Sequence, residues 1–439
     1  MTQMVRQFVS RCLPAARPAA IVPLAFVAVS LVAVGASPAG AQSVDMVIQW
    51  NRVLVTGIVT PGANPATVFA TRPLAIVSAA VFDAANSFDR LYQPYTTWVD
   101  VPAGASRDAA VAQAAHDALV GVMPSQTATF DAALAASLAG IASQASADGA
   151  KVGAAAAKAT LDRRTGDGWE RPFPPLVLPN LPGFWKPTPP ANLAAQFTNY
   201  PDVVGFIVDT GRHFMIEGPP ALTSTRYATD FNQMKSWGAV NSTVRSAEQT
   251  LISNQWAGVG TSTTVNHVWN NLLGDLARSQ GWSGLDTARG YALLNMTFHD
   301  ALLTSFTGKF AYGLWRPVTA VREADTDGND ATEADPTWLP LLATPPYPSA
   351  PGNMACIGAS LSRVMERLHG RDNVPFSVTW TGTTGPTTTR AFNGFRELAD
   401  QEAYSRIWGG IHFLFETTSS IGQCSRLGDY AVDNTLRKR

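Results

Sequence analysis

The chain has almost no excess of charge. Its 32 lysines and arginines are matched by 33 aspartates and glutamates, and the formal net charge over 439 residues is −1. Proteins that bind nucleic acid or an anionic membrane surface non-specifically usually carry a basic excess. The composition therefore argues against both classes of partner. Any anionic ligand has to be bound by a local cluster of basic side chains.

Beyond the N-terminus we expect no apolar run long enough to cross a membrane. At the N-terminus, three arginines precede the run IVPLAFVAVSLVAVGA, and the small residues Ala39, Gly40 and Ala41 follow it. This is the pattern of a cleaved export signal without a twin-arginine pair, and the run is short for a bilayer span. We therefore predict a signal peptide over residues 1–41 and a secreted or periplasmic mature protein with no membrane span.

Cysteine is scarce as well. Of the three cysteines, Cys12 falls within the predicted signal, so Cys356 and Cys424 remain. In an oxidising compartment such a pair can form a disulfide, but two buried thiols fit the sequence equally well. Both alternatives stay open at this stage.

Alternating strand patterns are also rare, and WTGTTGPTTTR is the one stretch that suggests a strand. Helical spacing of apolar residues is common instead, for example in RPLAIVSAAVFDAANSFDRL and VNHVWNNLLGDLARSQG. The sequence has no repeat of solenoid period and no low-complexity tail. These patterns predict an all-α fold built from helix bundles.

The clearest predicted helix begins at Gly284. Ser283 and Asp286 form a start that resembles a capping box, and we expect Gly308 to end the helix. Apolar residues recur every four positions along one face, namely Leu294, Phe298, Leu302 and Phe306.

A proline-rich stretch, ERPFPPLVLPNLPGFWKPTPP, divides the chain. So many prolines exclude a regular helix, and its aromatic residues favour packing on a domain over a free linker. We therefore predict an N-terminal helical region over 42–168, a packed arm over 169–200, and a C-terminal helical bundle over 201–439.

Basic residues occur in two short patterns of the C-terminal bundle. KFAYGLWRP contains Lys309 and Arg316, and YSRIWGGIHFLFE contains Arg406 and His412. Each has an ordinary explanation on its own, such as a lysine at a helix C-terminus or a histidine packed in a core. Brought together, guanidinium forks, an ammonium group and a neutral imidazole are what a tetrahedral oxyanion requires.

The two patterns resemble those of the vanadium-dependent haloperoxidases and of the type-2 phosphatidic acid phosphatases that share their fold. The shared spacings are Lys-x6-Arg-Pro and Ser-Arg-x5-His, and flanks such as GFWKPTPP extend the likeness to the secreted bacterial haloperoxidase-like branch over roughly 183–426. The resemblance implies that Lys309, Arg316 and Arg406 bind the equatorial oxygens of vanadate or phosphate.

Two further roles follow from the same resemblance. It implies that His412 is the apical vanadium ligand or, in a phosphatase, the nucleophile. Glu416 stands where the family usually has aspartate, and it would accept the other imidazole hydrogen and so fix the tautomer.

The middle motif of the family, Pro-Ser-Gly-His, is altered in this chain to Pro351-Gly352-Asn353-Met354. Gly352 removes a hydroxyl donor, whereas the backbone N–H of Asn353 can still point at the oxyanion. Met354 occupies the position of the acid/base histidine, and a thioether cannot carry a proton. General acid–base help is worth about 10²- to 10⁴-fold in rate. We interpret Met354 as a packing residue beside an anion pocket.

Two of the five histidines outside these motifs have a further interpretation. His299 could substitute for the missing acid/base group, but its spacing fits helix packing as well. His369, in RLHGRD, resembles a cation at a helix C-terminus.

The resemblance implies a haloperoxidase that binds vanadate at His412 and oxidises a halide with hydrogen peroxide, with turnover impaired by Met354. One alternative is a phosphatase that hydrolyses phosphomonoesters through phospho-His412. Another is an inactive homologue that only binds oxyanions. The implied cofactor is vanadate, whose place phosphate can take. The halide, the organic substrate and the formation of a homodimer stay open.

Overall fold

The computed structural model describes residues 40–60 and 67–439, with side chains from 46 and from 68 onward in these two stretches. Helices make up 58% of it and strands 5%, so the predicted all-α fold is confirmed. Most of the predicted signal peptide lies outside the described residues, and the predicted domain boundaries remain predictions.

Thirteen α-helices occur in the described part of the chain. They are α1 (Gly40–Val59), α2 (Thr67–Asp89), α3 (Arg107–Val122), α4 (Thr127–Leu138), α5 (Ser143–Arg163), α6 (Thr225–Gly238), α7 (Ala247–Trp256), α8 (Val265–Ser279), α9 (Gly284–Tyr312), α10 (Pro317–Arg322), α11 (Asn353–His369), α12 (Phe395–Trp408) and α13 (Leu414–Asn434). The strands β1 (Phe376–Trp380) and β2 (Thr388–Phe392) form an antiparallel hairpin around the stretch that suggested a strand.

Helix α9 is the central element of the fold. Every residue from Gly290 to Lys309 is buried, and α9 packs against α2 on one side and α11 on another. A helix enclosed on all faces has to be apolar or internally satisfied all round. The apolar repeat from Leu294 to Phe306 therefore identified only one of the buried faces of α9.

The predicted end of this helix at Gly308 is wrong. Helix α9 runs on to Tyr312 and ends at Gly313, which has a φ of 60° and donates its N–H to the carbonyl of Lys309. Gly308 serves close packing instead, because a Cβ there would lie 2.8 Å from the ring of Pro351. Lys309 therefore lies inside the last turn of α9.

Helix α2 corrects a second expectation. Its segment Val68–Asp89 is long and apolar enough to span a membrane by length and composition, although we expected no such run there. Within the protein, however, 89% of its apolar window is buried, and α2 packs against α3, α5 and α9. Its apolar character is that of a core helix.

The proline-rich segment lies along the chain that leads to Arg316. Trp185 donates its N–H to the carbonyl of Gly313 (2.7 Å), and Trp315 donates its N–H to the carbonyl of Gly183 (2.9 Å). Lys186 also forms an ion pair with Glu323 just beyond α10. These contacts hold the extended segment between α9 and α10 in place.

Two open questions of the C-terminal bundle are answered by the structure. Cys356 of α11 and Cys424 of α13 form a buried disulfide that joins these helices. His369 does lie in the last turn of α11, as predicted, but burial and then Arg371 lower its pKa to about 4, which disfavours the predicted charge. Its Nδ1 lies 2.9 Å from Oε1 of Gln280.

Candidate active site

Four segments of the C-terminal bundle meet at one buried site. They are the last turn of α9, the start of α10, the turn over residues 344–352 before α11, and the loop between α12 and α13. A single apolar cluster contains a neighbour of each of three polar residues, because Trp315 precedes Arg316, Ile407 follows Arg406 at the end of α12, and Phe413 follows His412. Burial of these neighbours directs the polar side chains between them toward a common point.

The loop between α12 and α13 depends on Gly410. Helix α12 ends at Trp408, as the paired glycines predict, and Gly410 takes a left-handed φ of 74°. A Cβ at this position would lie 2.4 Å from the carbonyl oxygen of Gly238. Only glycine fits this close approach, which turns the chain so that His412 is buried.

His412 and Glu416 form a tight pair. Nδ1 of His412 lies 2.6 Å from Oε2 of Glu416, which is the spacing of a strong hydrogen bond to a carboxylate. The other oxygen, Oε1, accepts the hydroxyl of Ser349 (2.7 Å) and the backbone N–H of Phe413 (3.1 Å). The longer glutamate side chain therefore reaches the imidazole and also caps the first turn of α13.

Electrostatics keep this imidazole neutral. Burial, opposed by Glu416 and assisted by the charges of Arg316 and Lys309, lowers the pKa of His412 to about 3. Burial alone raises the pKa of Glu416, but its contacts, chiefly with His412, outweigh burial and hold that pKa below the ordinary value. Because Nδ1 carries the hydrogen that Glu416 accepts, Nε2 carries the lone pair of the ring.

The buried guanidinium group of Arg316 lies beside this lone pair, and its charge acts on a second buried guanidinium group, that of Arg406. Nη1 of Arg316 is 3.3 Å from Nε2 of His412 and donates to the carbonyl of Ile411 (3.0 Å). Nη2 of Arg316 and Nη1 of Arg406 are buried and have no hydrogen-bond partner among the described residues. Leaving a charged donor unpaired in a protein interior costs several kcal/mol. The two nitrogens therefore fit an anionic acceptor that a ligand brings.

The ammonium group of Lys309 is directed at the turn over residues 344–352. Its Nζ donates to the carbonyls of Pro348 (3.2 Å), Ser349 (2.6 Å) and Pro351 (2.5 Å). Burial and then Arg316 hold its pKa well below the ordinary value. Lysine has three N–H donors, and all three are occupied by the turn. Its role as a direct anion ligand thus remains a prediction.

The turn ends at the N-terminus of α11. Gly352 donates its N–H to Oγ of Ser420 (3.1 Å), and Asn353 accepts the hydroxyl of Ser305 (2.8 Å). Asn353 is the first residue of the helix, where backbone N–H groups lack an intrahelical acceptor and favour an anion. Met354 follows it and is half-buried.

His299 is remote from this constellation. Its Nδ1 lies 3.2 Å from Oγ1 of Thr71, and its ring packs against Trp169, Tyr200 and Phe206. Burial, and then the charges of Arg164 and Arg72, lower its pKa well below the ordinary value. The packing interpretation of His299 therefore fits its surroundings.

Residues 289–438 match the family model of the VCPO second helical-bundle domain, a range that contains all the predicted site residues. This match supports a relationship of residues 289–438 to the vanadium haloperoxidase superfamily. A vanadium chloroperoxidase of Curvularia inaequalis is 25% identical over 288 residues, which make up 51% of this chain and 46% of that protein. The chain thus spans less than half the length of this curated relative.

Solved vanadium haloperoxidases share the fold along most of the chain. A bacterial vanadium-dependent iodoperoxidase superposes with a TM-score of 0.74 at 20% identity, covering 92% of this chain and 99% of that one. The apo form of a bacterial vanadium-dependent chloroperoxidase gives a TM-score of 0.67 at 16% identity, covering 84% and 94%. At such low identities these likenesses establish the fold.

Two polar residues of this haloperoxidase-like site were missed in the sequence. Ser349 binds Glu416, and the ring of Tyr347 lies 4.9 Å from Cζ of Arg316 and 5.4 Å from Nζ of Lys309. Both belong to TPPYPSAP, and neither occupies a position of the family's motifs. The signal available in the sequence was that both polar residues lie among prolines, which restrict the conformation of the backbone.

Proposed function

We propose that this protein is a vanadium-dependent haloperoxidase-like enzyme that oxidises a halide with hydrogen peroxide. The observation that carries the proposal is the neutral His412 imidazole beside Arg316, together with one buried nitrogen each of Arg316 and Arg406 that lacks an acceptor within the described part of the chain. The matched bundle domain and the vanadium chloroperoxidase relative support the same interpretation. The residues present fit vanadate, which is a tetrahedral oxyanion.

Each side chain has a distinct task in this proposal. Arg316, Arg406 and the N-terminus of α11 would hold the vanadate oxygens, while Nε2 of His412 would ligate the metal. When bound, vanadate supplies a Lewis acid that activates peroxide without a change in metal oxidation state. Glu416 keeps Nε2 unprotonated, and Lys309 holds the turn that closes the pocket.

Met354 determines the turnover rate that we expect for this enzyme. A thioether cannot donate a hydrogen bond to the bound oxyanion or move a proton. We therefore propose turnover well below that of a site with the family's histidine, by about 10²- to 10⁴-fold.

The test is metal content together with two activities. Purified protein is loaded with orthovanadate, desalted, and assayed for bound vanadium, for peroxide-dependent oxidation of bromide and chloride, and for hydrolysis of p-nitrophenyl phosphate. Stoichiometric vanadium with vanadate-dependent halide oxidation is the expected result. Failure to retain vanadium in the wild type, with retention equal to His412→Ala, would overturn the proposal.

The same assays distinguish two alternative functions from halide oxidation. The neutral imidazole paired with Glu416 is also poised for attack on a phosphoryl group, so hydrolysis that vanadate inhibits would indicate a phosphatase acting through phospho-His412. Vanadate binding without either activity would indicate an oxyanion-binding homologue, the outcome that Met354 favours.

We also propose that the protein acts outside the cytoplasm, as a secreted or periplasmic enzyme. The predicted signal peptide and the disulfide between Cys356 and Cys424 support this location. Its reaction partners would be hydrogen peroxide and a halide.

A further inference from the structure

We propose that the Tyr347 hydroxyl is the hydrogen-bond donor that this site directs at the bound tetrahedral oxyanion, in the absence of the histidine that Met354 replaces. The inference rests on the proposed function only in requiring that vanadate or phosphate binds between Arg316 and Arg406. It assigns a role to a residue at the opposite end of the turn from Met354.

The backbone of Tyr347 is fixed next to the cations. Its carbonyl accepts Nε of Arg316 (2.8 Å), and the following carbonyl, that of Pro348, accepts Nζ of Lys309. Two buried cations thus hold consecutive peptide groups of the turn. A tyrosine held in this way loses little further conformational freedom when its hydroxyl meets a ligand.

The ring of Tyr347 is fixed as well. It meets Phe306 edge-on, with ring centroids 5.0 Å apart, and Phe197 at 6.1 Å. Cζ of Arg316 lies 4.9 Å from the ring centroid, within the range of a cation–π contact. These contacts hold the ring in place between the aromatic residues and the guanidinium group of Arg316.

The neighbours of the hydroxyl present N–H groups. The side chains of Arg316 and Asn353 both interact with it, and the charge of Arg406 acts on it too. The hydroxyl of Ser305 already donates to the amide oxygen of Asn353. Arginine and an amide nitrogen only donate, so any hydrogen bond that these groups form with the phenol has the phenol oxygen as its acceptor. Its own hydrogen is then available to an acceptor on the ligand.

The phenol also keeps that hydrogen at neutral pH. Burial raises the pKa of Tyr347 above its ordinary value, although Arg316 and Arg406 oppose the rise. An uncharged phenol beside two guanidinium groups adds a donor without adding a charge. Gly352 and Met354 supply no side-chain donor at the positions where the family has serine and histidine, so Tyr347 offsets that loss.

The first experiment compares Tyr347→Phe with Tyr200→Phe. Tyr200 is a matched control, because its ring also packs on Phe306 (4.8 Å), whereas its hydroxyl lies 3.4 Å from the carbonyl of Val68. Binding of orthovanadate and of inorganic phosphate to the full chain is measured by titration calorimetry. We expect about tenfold or greater weakening of both anions in Tyr347→Phe, typical of a lost hydrogen bond to a charged group, and no change in Tyr200→Phe.

The second measurement is the ultraviolet difference spectrum of the wild type on phosphate binding. A phenol that begins to donate to an anion changes its absorption, so we expect a tyrosine difference signal that Tyr347→Phe lacks and Tyr200→Phe retains. If Tyr347→Phe fails to fold, as judged by circular dichroism, the wild-type spectrum decides. Absence of a tyrosine signal would then overturn the role of Tyr347.

The outcomes separate the two proposals. A wild type that binds neither anion overturns the proposed function. A wild type that binds both, with equal affinity in a folded Tyr347→Phe, overturns the role of Tyr347 alone and leaves the anion site intact.

Discussion

His412 shows how a single residue acquires its chemistry from its surroundings. Burial removes its proton, and Glu416 fixes the remaining hydrogen on Nδ1, so Nε2 is presented as a lone pair beside Arg316. The same histidine on a solvated surface would be partly protonated near neutral pH. Its partners therefore decide its reactivity.

Replacement of Glu416 by glutamine tests this tautomer control. The amide can donate to Nδ1 and permit the wrong tautomer, so we expect orthovanadate affinity to fall about 10- to 100-fold. Glu397→Gln is the matched control, because Glu397 also caps the first turn of a helix, through the N–H of Asn393, without a contact to His412. Equal affinity of Glu416→Gln and wild type would contradict the assigned role.

Replacement of Met354 by histidine tests the register of the turn. If Met354 occupies the acid/base position, peroxide-dependent halide oxidation by the vanadate-loaded protein should rise by about 10²- to 10⁴-fold. Met215→His, at another half-buried methionine, controls for the added imidazole. No rise in Met354→His would count against this alignment of the turn.

At the scale of secondary-structure elements, the geometry of the site depends on where helices α9 and α12 end. Helix α12 ends at Trp408 and α9 ends at Gly313, and the short segments beyond them carry His412 and Arg316. Left-handed glycines at both ends allow the chain to reverse without a Cβ clash. The positions of the two functional side chains are thus consequences of helix termination.

Gly410→Ala should destabilise the fold. The substitution strains a left-handed residue by about 1–2 kcal/mol and adds a clash with the backbone of Gly238. Gly422→Ala, on the exposed face of α13 with no atom near the added Cβ, should be neutral or stabilising by up to about 1 kcal/mol. Denaturant unfolding compares the two, and an unchanged midpoint for Gly410→Ala would refute the argument.

Glu402 links α12 to the pH dependence of folding. Burial raises its pKa from 4.5 to about 8, although Trp269 donates to it and Arg406 lies nearby. Because the folded state binds the proton more tightly than the unfolded state, this group makes stability fall as pH rises from about 4.5 to 8.

Glu402→Gln should therefore flatten stability across that pH window. The amide is neutral at every pH, and its oxygen can still accept from Trp269. Urea unfolding at several pH values measures the slope. Glu397→Gln is the control, because it removes a carboxyl from the same helix, one that accepts the N–H of Asn393 and not the indole of Trp269. A slope in Glu402→Gln equal to that of wild type would show that another group is responsible.

At the scale of the whole molecule, the disulfide joins the two walls of the site. Cys356 lies two residues after Met354, and Cys424 lies two turns after Glu416 along α13, with a sequence separation of 68 between the cysteines. Closing a loop of that length restricts the unfolded chain. The cross-link therefore stabilises the bundle that carries the anion site.

Replacement of both cysteines by alanine should lower the free energy of unfolding by about 4 kcal/mol. Chemical denaturation of the double variant against oxidised wild type measures the loss. Wild type reduced under denaturing conditions should match the variant. Equal stability of the oxidised and reduced proteins would contradict the cross-link.

The helical class of the fold was readable from the sequence because apolar spacing is a local property. The end of α12 was readable as well, since Gly409 and Gly410 interrupt the pattern. The end of α9 was not, because Gly308 is explained by the distant ring of Pro351 and not by its own neighbours. Tyr347 and Ser349 were overlooked for the same reason, since their partners come from other segments.

The sequence by itself determined the helices and the spacing of the basic residues, because these follow from composition and from intervals along the chain, and it predicts the loss of the family's histidine at Met354. Only the tertiary structure decided that Lys309 holds the turn, that two guanidinium nitrogens find no acceptor among the described residues, and that Tyr347 lies beside them. Distances between remote segments arise from the packing of α9, α11, α12 and α13, and no local pattern encodes them.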